Sequence, residues 1–146
     1  MKKIKILCVG KASKPFCRDG CDEYIKRLKG FYDVSVVEIP EQPTVKKESD
    51  ELTKRMAGGE CVLLDIGGEP VTSEDFARLL YDIHVRRDEA VFVIGGASGV
   101  DDEVRKLCSK RISFGRVTYP HQIARLLLTE QLYRAATILN RIPYHK

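Results

Sequence analysis

Ala90-Val91-Phe92-Val93-Ile94 sets five apolar residues in succession, three of them β-branched. A strand with one wet face alternates apolar and polar residues, so an unbroken run of this kind belongs to a strand buried on both faces. Cys61 to Asp65 carries a second such run. Strands buried on both sides need helices above and below them, which is the arrangement of a parallel α/β sheet. The rest of the chain meets that demand. Lys3–Val9 alternates and stops at Gly10, Val34–Ile39 is rich in β-branched residues, and Ile112–Phe114 is a weaker fifth strand. Helical periodicity fills the intervals at 15–29, 45–57, 74–86, 101–109 and 121–140. Gly58-Gly59 ends the second helix, and Thr72 to Asp75 forms a capping-box signal for the third. The predicted fold is α/β, a mostly parallel sheet with helices on both faces.

With 146 residues, 43% of them hydrophobic, the chain can bury one core and not two, so residues 1–146 are expected to form a single domain. Met1-Lys2-Lys3 has the charge of a secretion signal, but Ile4–Val9 is interrupted by Lys5 and no run approaches the length of a membrane span. The expectation is a soluble, cytoplasmic protein without membrane contact. Cys8, Cys17, Cys21, Cys61 and Cys108 are odd in number and scattered, which predicts reduced thiols. Cys17 and Cys21 share a helix face, yet a structural zinc site needs two close pairs of ligands, and no metal is expected. Glu41 to Asp50 is the most polar connection and is expected at a mobile edge.

The net charge of +4 is unevenly placed: residues 1–104 hold 16 Lys and Arg against 20 Asp and Glu, and residues 105–146 hold nine against one. Arg105, Lys106, Lys110, Arg111, Arg116, Arg125, Arg134, Arg141 and Lys146 leave Glu130 as the sole acid of the last third. Such a bias fits a polyanionic partner and equally fits helix faces that are merely solvated.

In an open parallel sheet, ligands collect beyond the carboxyl ends of the strands, here the loops after Asp65, Ile94 and Phe114. Each carries glycine. Ile94-Gly95-Gly96-Ala97-Ser98-Gly99 lies between a strand and a helix that Asp101 can cap, and lets a ligand approach the backbone. It is not a phosphate loop, which requires Gly-Lys-Ser/Thr, nor a complete dinucleotide fingerprint. Val9-Gly10-Lys11-Ala12-Ser13-Lys14 lacks the acidic pocket of a phosphoacceptor domain.

Leu64-Asp65-Ile66-x-Gly68, Phe92-Val93-Ile94-Gly95-Gly96-x-x-Gly99, Ser113-Phe114 through Thr118-Tyr119-Pro120-His121-Gln122, Glu130-Gln131-Leu132-Tyr133-Arg134-Ala135 and Tyr144-His145-Lys146 together resemble the RlmH family of SPOUT methyltransferases. The similarity runs from end to end, and its last three blocks are the most specific. The resemblance implies an S-adenosylmethionine-dependent enzyme that methylates ring nitrogen N3 of a pseudouridine in 23S ribosomal RNA. It further implies action on the assembled ribosome, a homodimer, and a C-terminal trefoil knot, which pattern reading alone never suggests. Position by position, the family's cofactor site falls on Leu64, Gly95, Phe114, Gly115, Arg116, Val117, Thr118 and Tyr119. The connection from Glu41 to Gly59 is shorter than the family's, and Ala97-Ser98 is a variable pair.

Attack on a sulfonium methyl by an imide nitrogen requires loss of that nitrogen's proton. Arg134, Tyr144 and His145 are the candidate catalytic residues: an imidazole that accepts protons near neutral pH, a phenol beside it, and a cation for the developing anion. Their roles are not divided by the sequence. His121 at a helix start is expected to be structural or cofactor-adjacent, and His84 to be a favourable charge at a helix end. The helix 121–140 is apolar over more than one stripe, so its second side is covered by a homodimer partner or by the same chain. A non-catalytic RNA-binding module and a Rossmann-type nucleotide enzyme remain alternative functions at this level.

Overall fold

The computed structural model describes residues 1–144. Five strands, β1 (Lys3–Val9), β2 (Asp33–Ile39), β3 (Glu60–Pro70), β4 (Glu89–Ile94) and β5 (Cys108–Ser113), form one parallel sheet in the order β2-β1-β4-β3-β5. The helices between and after them are α1 (Pro15–Leu28), α2 (Val45–Arg55), α3 (Ser73–Arg86), α4 (Asp102–Leu107) and α5 (His121–Leu139).

The two-residue period of the strands sorts their side chains into two cores. Ile4, Ile6 and Cys8 of β1 join Val62, Ala90, Phe92 and Ile112 beneath α1, α3 and α5. Leu7 and Val9 join Cys61, Leu63, Val91 and Val93 on the other face, where Leu52 of α2 and Val104 of α4 close the layer. β4 pairs with β1 on one side and β3 on the other, so its apolar run is satisfied on four sides. Phe92 packs against Phe76 at 5.6 Å between ring centroids, and Phe76 meets Phe114 edge-on at 5.5 Å. Truncating a ring at such a position to alanine costs about 3–5 kcal/mol.

Three strand and loop boundaries differ from the sequence expectation. β5 begins at Cys108, not Ile112, and α4 is correspondingly short. As an edge strand β5 buries little of its first half, so Ser109, Lys110 and Arg111 stay exposed and give no hydrophobic signal. β3 continues past Asp65 to Pro70 through a bulge in which both Leu64 and Glu69 pair with Ile112. Gly68 permits this close passage, since a Cβ there would lie 2.7 Å from the Arg111 carbonyl carbon. The Glu41–Asp50 stretch, expected as a mobile edge, is pinned by its own hydrogen bonds. Thr44 caps α2 by accepting from Lys47 N at 3.2 Å, Glu48 is buried and accepts from Gln42 N at 3.0 Å, and buried Ser49 accepts from Asp101 N at 3.1 Å.

The capping box of α3 is present: Thr72 Oγ1 accepts from Asp75 N at 3.0 Å, and Asp75 Oδ2 accepts from Thr72 N at 3.2 Å. His84, expected as a favourable charge at a helix end, is buried. It stacks on Tyr32 at 5.3 Å, and because the Lys3 carbonyl 2.9 Å from Nε2 can only accept, Nε2 carries the proton. Burial lowers its pKa and keeps the ring neutral. α5 lies between α1 and α3, and none of its nineteen residues is exposed. Gly20 of α1 lets the helices touch, as a Cβ there would come within 2.7 Å of Leu126 Cδ1. The same chain therefore covers part of the second side of α5, and Ile123, Leu127 and Ile138 remain half-buried. Among the described residues, no helix is long and apolar enough to cross a membrane.

Candidate active site

A cavity of about 720 Å³ opens between the middle of β3 and the carboxyl ends of β4 and β5. Its walls are three stretches of chain: Leu63–Ile66, the loop from Ile94 to Val100, and the segment from Ile112 to His121, backed by Ala124 and Leu127 of α5. Two of these are the glycine-bearing loops singled out in the sequence, after Ile94 and around Phe114, whereas the third is β3 itself, since the chain after Asp65 continues as strand to Pro70 and Gly67 and Gly68 stay off the wall. Seven of the eight predicted cofactor residues stand on the wall, namely Leu64, Gly95, Phe114, Gly115, Val117, Thr118 and Tyr119, while Arg116 does not. Arg116 follows Gly115, whose φ of +130° turns the chain there.

Local chemistry fixes each wall. Ser113 Oγ donates to the Gly115 carbonyl at 2.6 Å and accepts from Gly115 N at 3.1 Å, closing the turn that leaves β5. Gly96 and Gly99 pair across a tight turn, with Gly99 at φ +79°, and Asp101 then caps α4 by accepting from Val104 N at 3.1 Å. The glycine at 95 serves the loop itself more than a ligand: a Cβ there would meet Val100 Cγ1 at 2.8 Å and the Gly99 carbonyl at 3.1 Å. Asp65, on the β3 wall, accepts from Gly67 N at 3.0 Å and from Arg111 at 3.4 Å.

Asp65 and Arg105 are ionisable side chains on the wall that the sequence did not assign to it, and His121, expected to be structural or cofactor-adjacent, stands there too. Arg105 pairs with Asp102 at 2.9 Å, and His121 Nε2 lies 4.0 Å from Glu41. Ala124 and Leu127 also went unassigned, because helix residues one and two turns beyond a loop give no sign in sequence that the helix turns back over a sheet.

The start of α5 is held by long-range contacts. Gln122 accepts from Lys14 N at 2.8 Å and donates to Ser13 Oγ at 3.0 Å. Arg125 is buried, donating to Glu38 at 2.7 Å and to the Gly10 carbonyl at 2.8 Å. Four further cations of the basic last third have acidic partners: Arg105 with Asp102, Lys110 with Glu69, Arg111 with Asp65, and Arg134 with Glu130. The charge bias along the sequence is thus largely cancelled in space, leaving Lys106, Arg116 and Arg141 without an acidic partner among the described residues.

Arg134 and Tyr144 are brought together. Arg134 Nη2 donates to Glu130 Oε2 at 2.7 Å, the Tyr144 hydroxyl donates to the same oxygen at 2.9 Å, and the Arg134 guanidinium sits 5.0 Å from the centre of the Tyr144 ring. His145 lies outside the described residues. The cluster is not on the cavity wall of its own chain, for Arg134 is seven residues beyond Leu127, roughly 10 Å along the helix axis.

The thiols take no part in this arrangement. Burial pushes Cys8 and Cys61 up to about 11 and Cys108 up to about 12, which keeps them protonated. Among the described residues, the one close group of three potential ligands is Asp50, Asp101 and Glu103.

The family described as predicted SPOUT methyltransferase matches residues 1–145. A ribosomal RNA large subunit methyltransferase H from Caldicellulosiruptor saccharolyticus is 37% identical, over 98% of this chain and 99% of that protein. One from Desulforamulus reducens is 35% identical over the full length of both. Among solved structures, a probable methyltransferase from Bordetella pertussis superposes with a TM-score of 0.58 at 16% identity, covering 92% of this chain and 96% of that one. A probable methylase family protein from Haemophilus influenzae gives 0.57 at 12% identity, over 98% of this chain and 70% of that one. These two likenesses bear on the fold alone.

Proposed function

The chain belongs to the SPOUT methyltransferase family, and from that premise we propose that it methylates ring nitrogen N3 of a pseudouridine in 23S ribosomal RNA, with S-adenosylmethionine as donor. In this reading it acts on the assembled ribosome in the cytoplasm, as a homodimer, and its passage from β5 through residues 114–120 into α5 is threaded as a trefoil knot. The full-length relatives named as ribosomal RNA methyltransferases support the substrate class. The observation that carries the cofactor assignment is the cavity formed by Leu64, Gly95 and the Phe114–Tyr119 segment.

The cavity suits the donor. Its volume falls in the range of small-molecule sites, and its walls combine apolar side chains with exposed main chain at the glycine turns. Leu64, Val117 and Phe114 would cover the adenine faces, and backbone groups of the Ile94–Val100 loop and the Gly115–Tyr119 segment would hold its polar edge. When bound, the donor supplies an electrophilic methyl group on a sulfonium.

The chain's own residues would then prepare the nucleophile. Arg134 would stabilise the imide anion, and His145 would accept its proton, worth about a hundred- to ten-thousand-fold in rate. Because Arg134 and Tyr144 stand off their own chain's cavity, this chemistry calls for a second chain to bring them to it. The half-buried flank of α5 and the exposed Phe16 give that partner an apolar surface.

Mass spectrometry of 23S ribosomal RNA from a strain lacking the gene tests the reading, which expects one N3-methylpseudouridine to disappear and return on complementation. Unchanged RNA overturns it. Calorimetry with S-adenosylmethionine, its demethylated product and NAD separates this enzyme from an RNA-binding module, which binds none of them, and from a dinucleotide enzyme, which binds the last.

A further inference from the structure

Glu130 is a single carboxylate that both Arg134 and Tyr144 address. Its Oε2 accepts from Arg134 Nη2 at 2.7 Å, from Arg134 Nε at 3.2 Å and from the Tyr144 hydroxyl at 2.9 Å. Its Oε1 accepts from Gln131 Nε2 at 2.8 Å, and Gln131 in turn accepts from Ser73 Oγ at 2.8 Å, which ties the group to the first turn of α3. A carboxylate whose oxygens are taken up by this many donors, its side chain 17% exposed, has little freedom to move.

Two consequences follow from the geometry. The guanidinium edge formed by Nε and Nη2 is taken up by Glu130, whereas Nη1 has no partner among the described residues and is the edge available to an anion. The phenol gives its only proton to a carboxylate, so ionising it would set two negative charges side by side. Burial, together with the hydrogen-bonded neighbours Tyr24 and Glu130, raises the Tyr144 pKa further. The other groups at the cluster are Tyr133 of α5, edge-on to Tyr144 at 4.8 Å, and Arg27 of α1, 5.6 Å from the Tyr133 ring and itself paired with Glu23 at 2.9 Å.

We propose that Glu130 is a positioning residue that divides the labour of this cluster: it aims Arg134 at the developing anion and holds Tyr144 as a protonated phenol, so that neither Tyr144 nor Glu130 accepts the substrate's proton. The proposal rests on the methyltransferase reading above and adds to it a role for Glu130 and a protonated state for Tyr144.

The test compares Glu130→Gln and Glu130→Asp with the parent. Single-turnover methylation of ribosomes lacking the modification should fall on the order of a hundredfold in Glu130→Gln, the scale of a misplaced reacting group, and recover in part in Glu130→Asp. Binding of S-adenosylmethionine by calorimetry should stay within about twofold, because Glu130 is not on the cavity wall. With ¹³C-tyrosine, the Tyr144 resonance, assigned through Tyr144→Phe, should titrate at lower pH in Glu130→Gln. A parental rate in Glu130→Gln overturns the proposal, as does equal loss of rate and cofactor binding, or an unmoved Tyr144 titration. If the parent methylates no ribosomal RNA, it is the functional reading that fails, and the tyrosine titration still decides whether Glu130 holds the phenol protonated.

Discussion

Arg125, in the most basic third of the sequence, commits its guanidinium to Glu38, 87 positions earlier, at 2.7 Å, and to the Gly10 carbonyl at 2.8 Å. It joins the start of α5 to the carboxyl ends of β1 and β2, and so fixes where His121, Ala124 and Leu127 meet the cavity. Its charge is internal, not a contact for phosphate.

Replacing Arg125 with methionine keeps the aliphatic bulk and strands the Gly10 carbonyl and a partly solvated Glu38 carboxylate. The expected loss is about 2–4 kcal/mol in urea unfolding, below the full cost of an orphaned buried charge because water reaches Glu38. A loss under about 0.5 kcal/mol, the ordinary range for a surface change, would mean the pair contributes nothing.

Gly95→Ala places a methyl group 2.8 Å from Val100 Cγ1 and 3.1 Å from the Gly99 backbone. The loop must shift, at about 1–3 kcal/mol of stability, and affinity for S-adenosylmethionine should drop by more than tenfold. Gly99→Ala meets no neighbour within 4 Å and suffers only from its φ of +79°, about 1–2 kcal/mol. Calorimetry should therefore rank Gly95→Ala as the more damaging to binding.

Removing residues 144–146 leaves every wall of the cavity in place, so cofactor affinity should hardly change. Methyl transfer should nevertheless fall at least a hundredfold, because the candidate proton acceptor and its neighbour are gone. A truncated protein that methylates at near-parental rate in single-turnover assays would exclude the terminal residues from catalysis.

His84 makes stability depend on pH. Burial lowers its pKa in the folded state, so the unfolded chain binds the extra proton first. Its contribution is complete above the unfolded value of about 6.5 and drains away as pH falls below it. Urea midpoints should decline between pH 7.5 and 5.5, and the decline should be shallower in His84→Gln.

Ribosome affinity should weaken with salt, but less steeply than nine cations imply, since five of them have acidic partners in the fold. Lys106→Gln and Arg116→Gln should each reduce the slope of log affinity against log salt by about 0.7–0.9. Binding that is flat in salt would remove phosphate contacts from the account.

The sequence by itself determined the alternation of strands and helices, the burial of β4 on both faces and the two loops, after Ile94 and around Phe114, that wall the cavity, because periodicity and glycine act locally and leave a mark on the residues they constrain. Ile4 and Leu7 show which core each belongs to by position alone. Charge and edges were different. Arg125 read as one of a set of partner-facing or solvated cations and His84 as a charge at a helix end, yet both are buried, and exposed Lys110 and Arg111 are paired with Glu69 and Asp65, since Coulomb partners and desolvation depend on distance in space and not on separation along the chain. Only the tertiary structure decided that Glu130 gathers Arg134 and Tyr144, and that this cluster stands apart from its own cavity, because both depend on how α5 turns back over the sheet between α1 and α3.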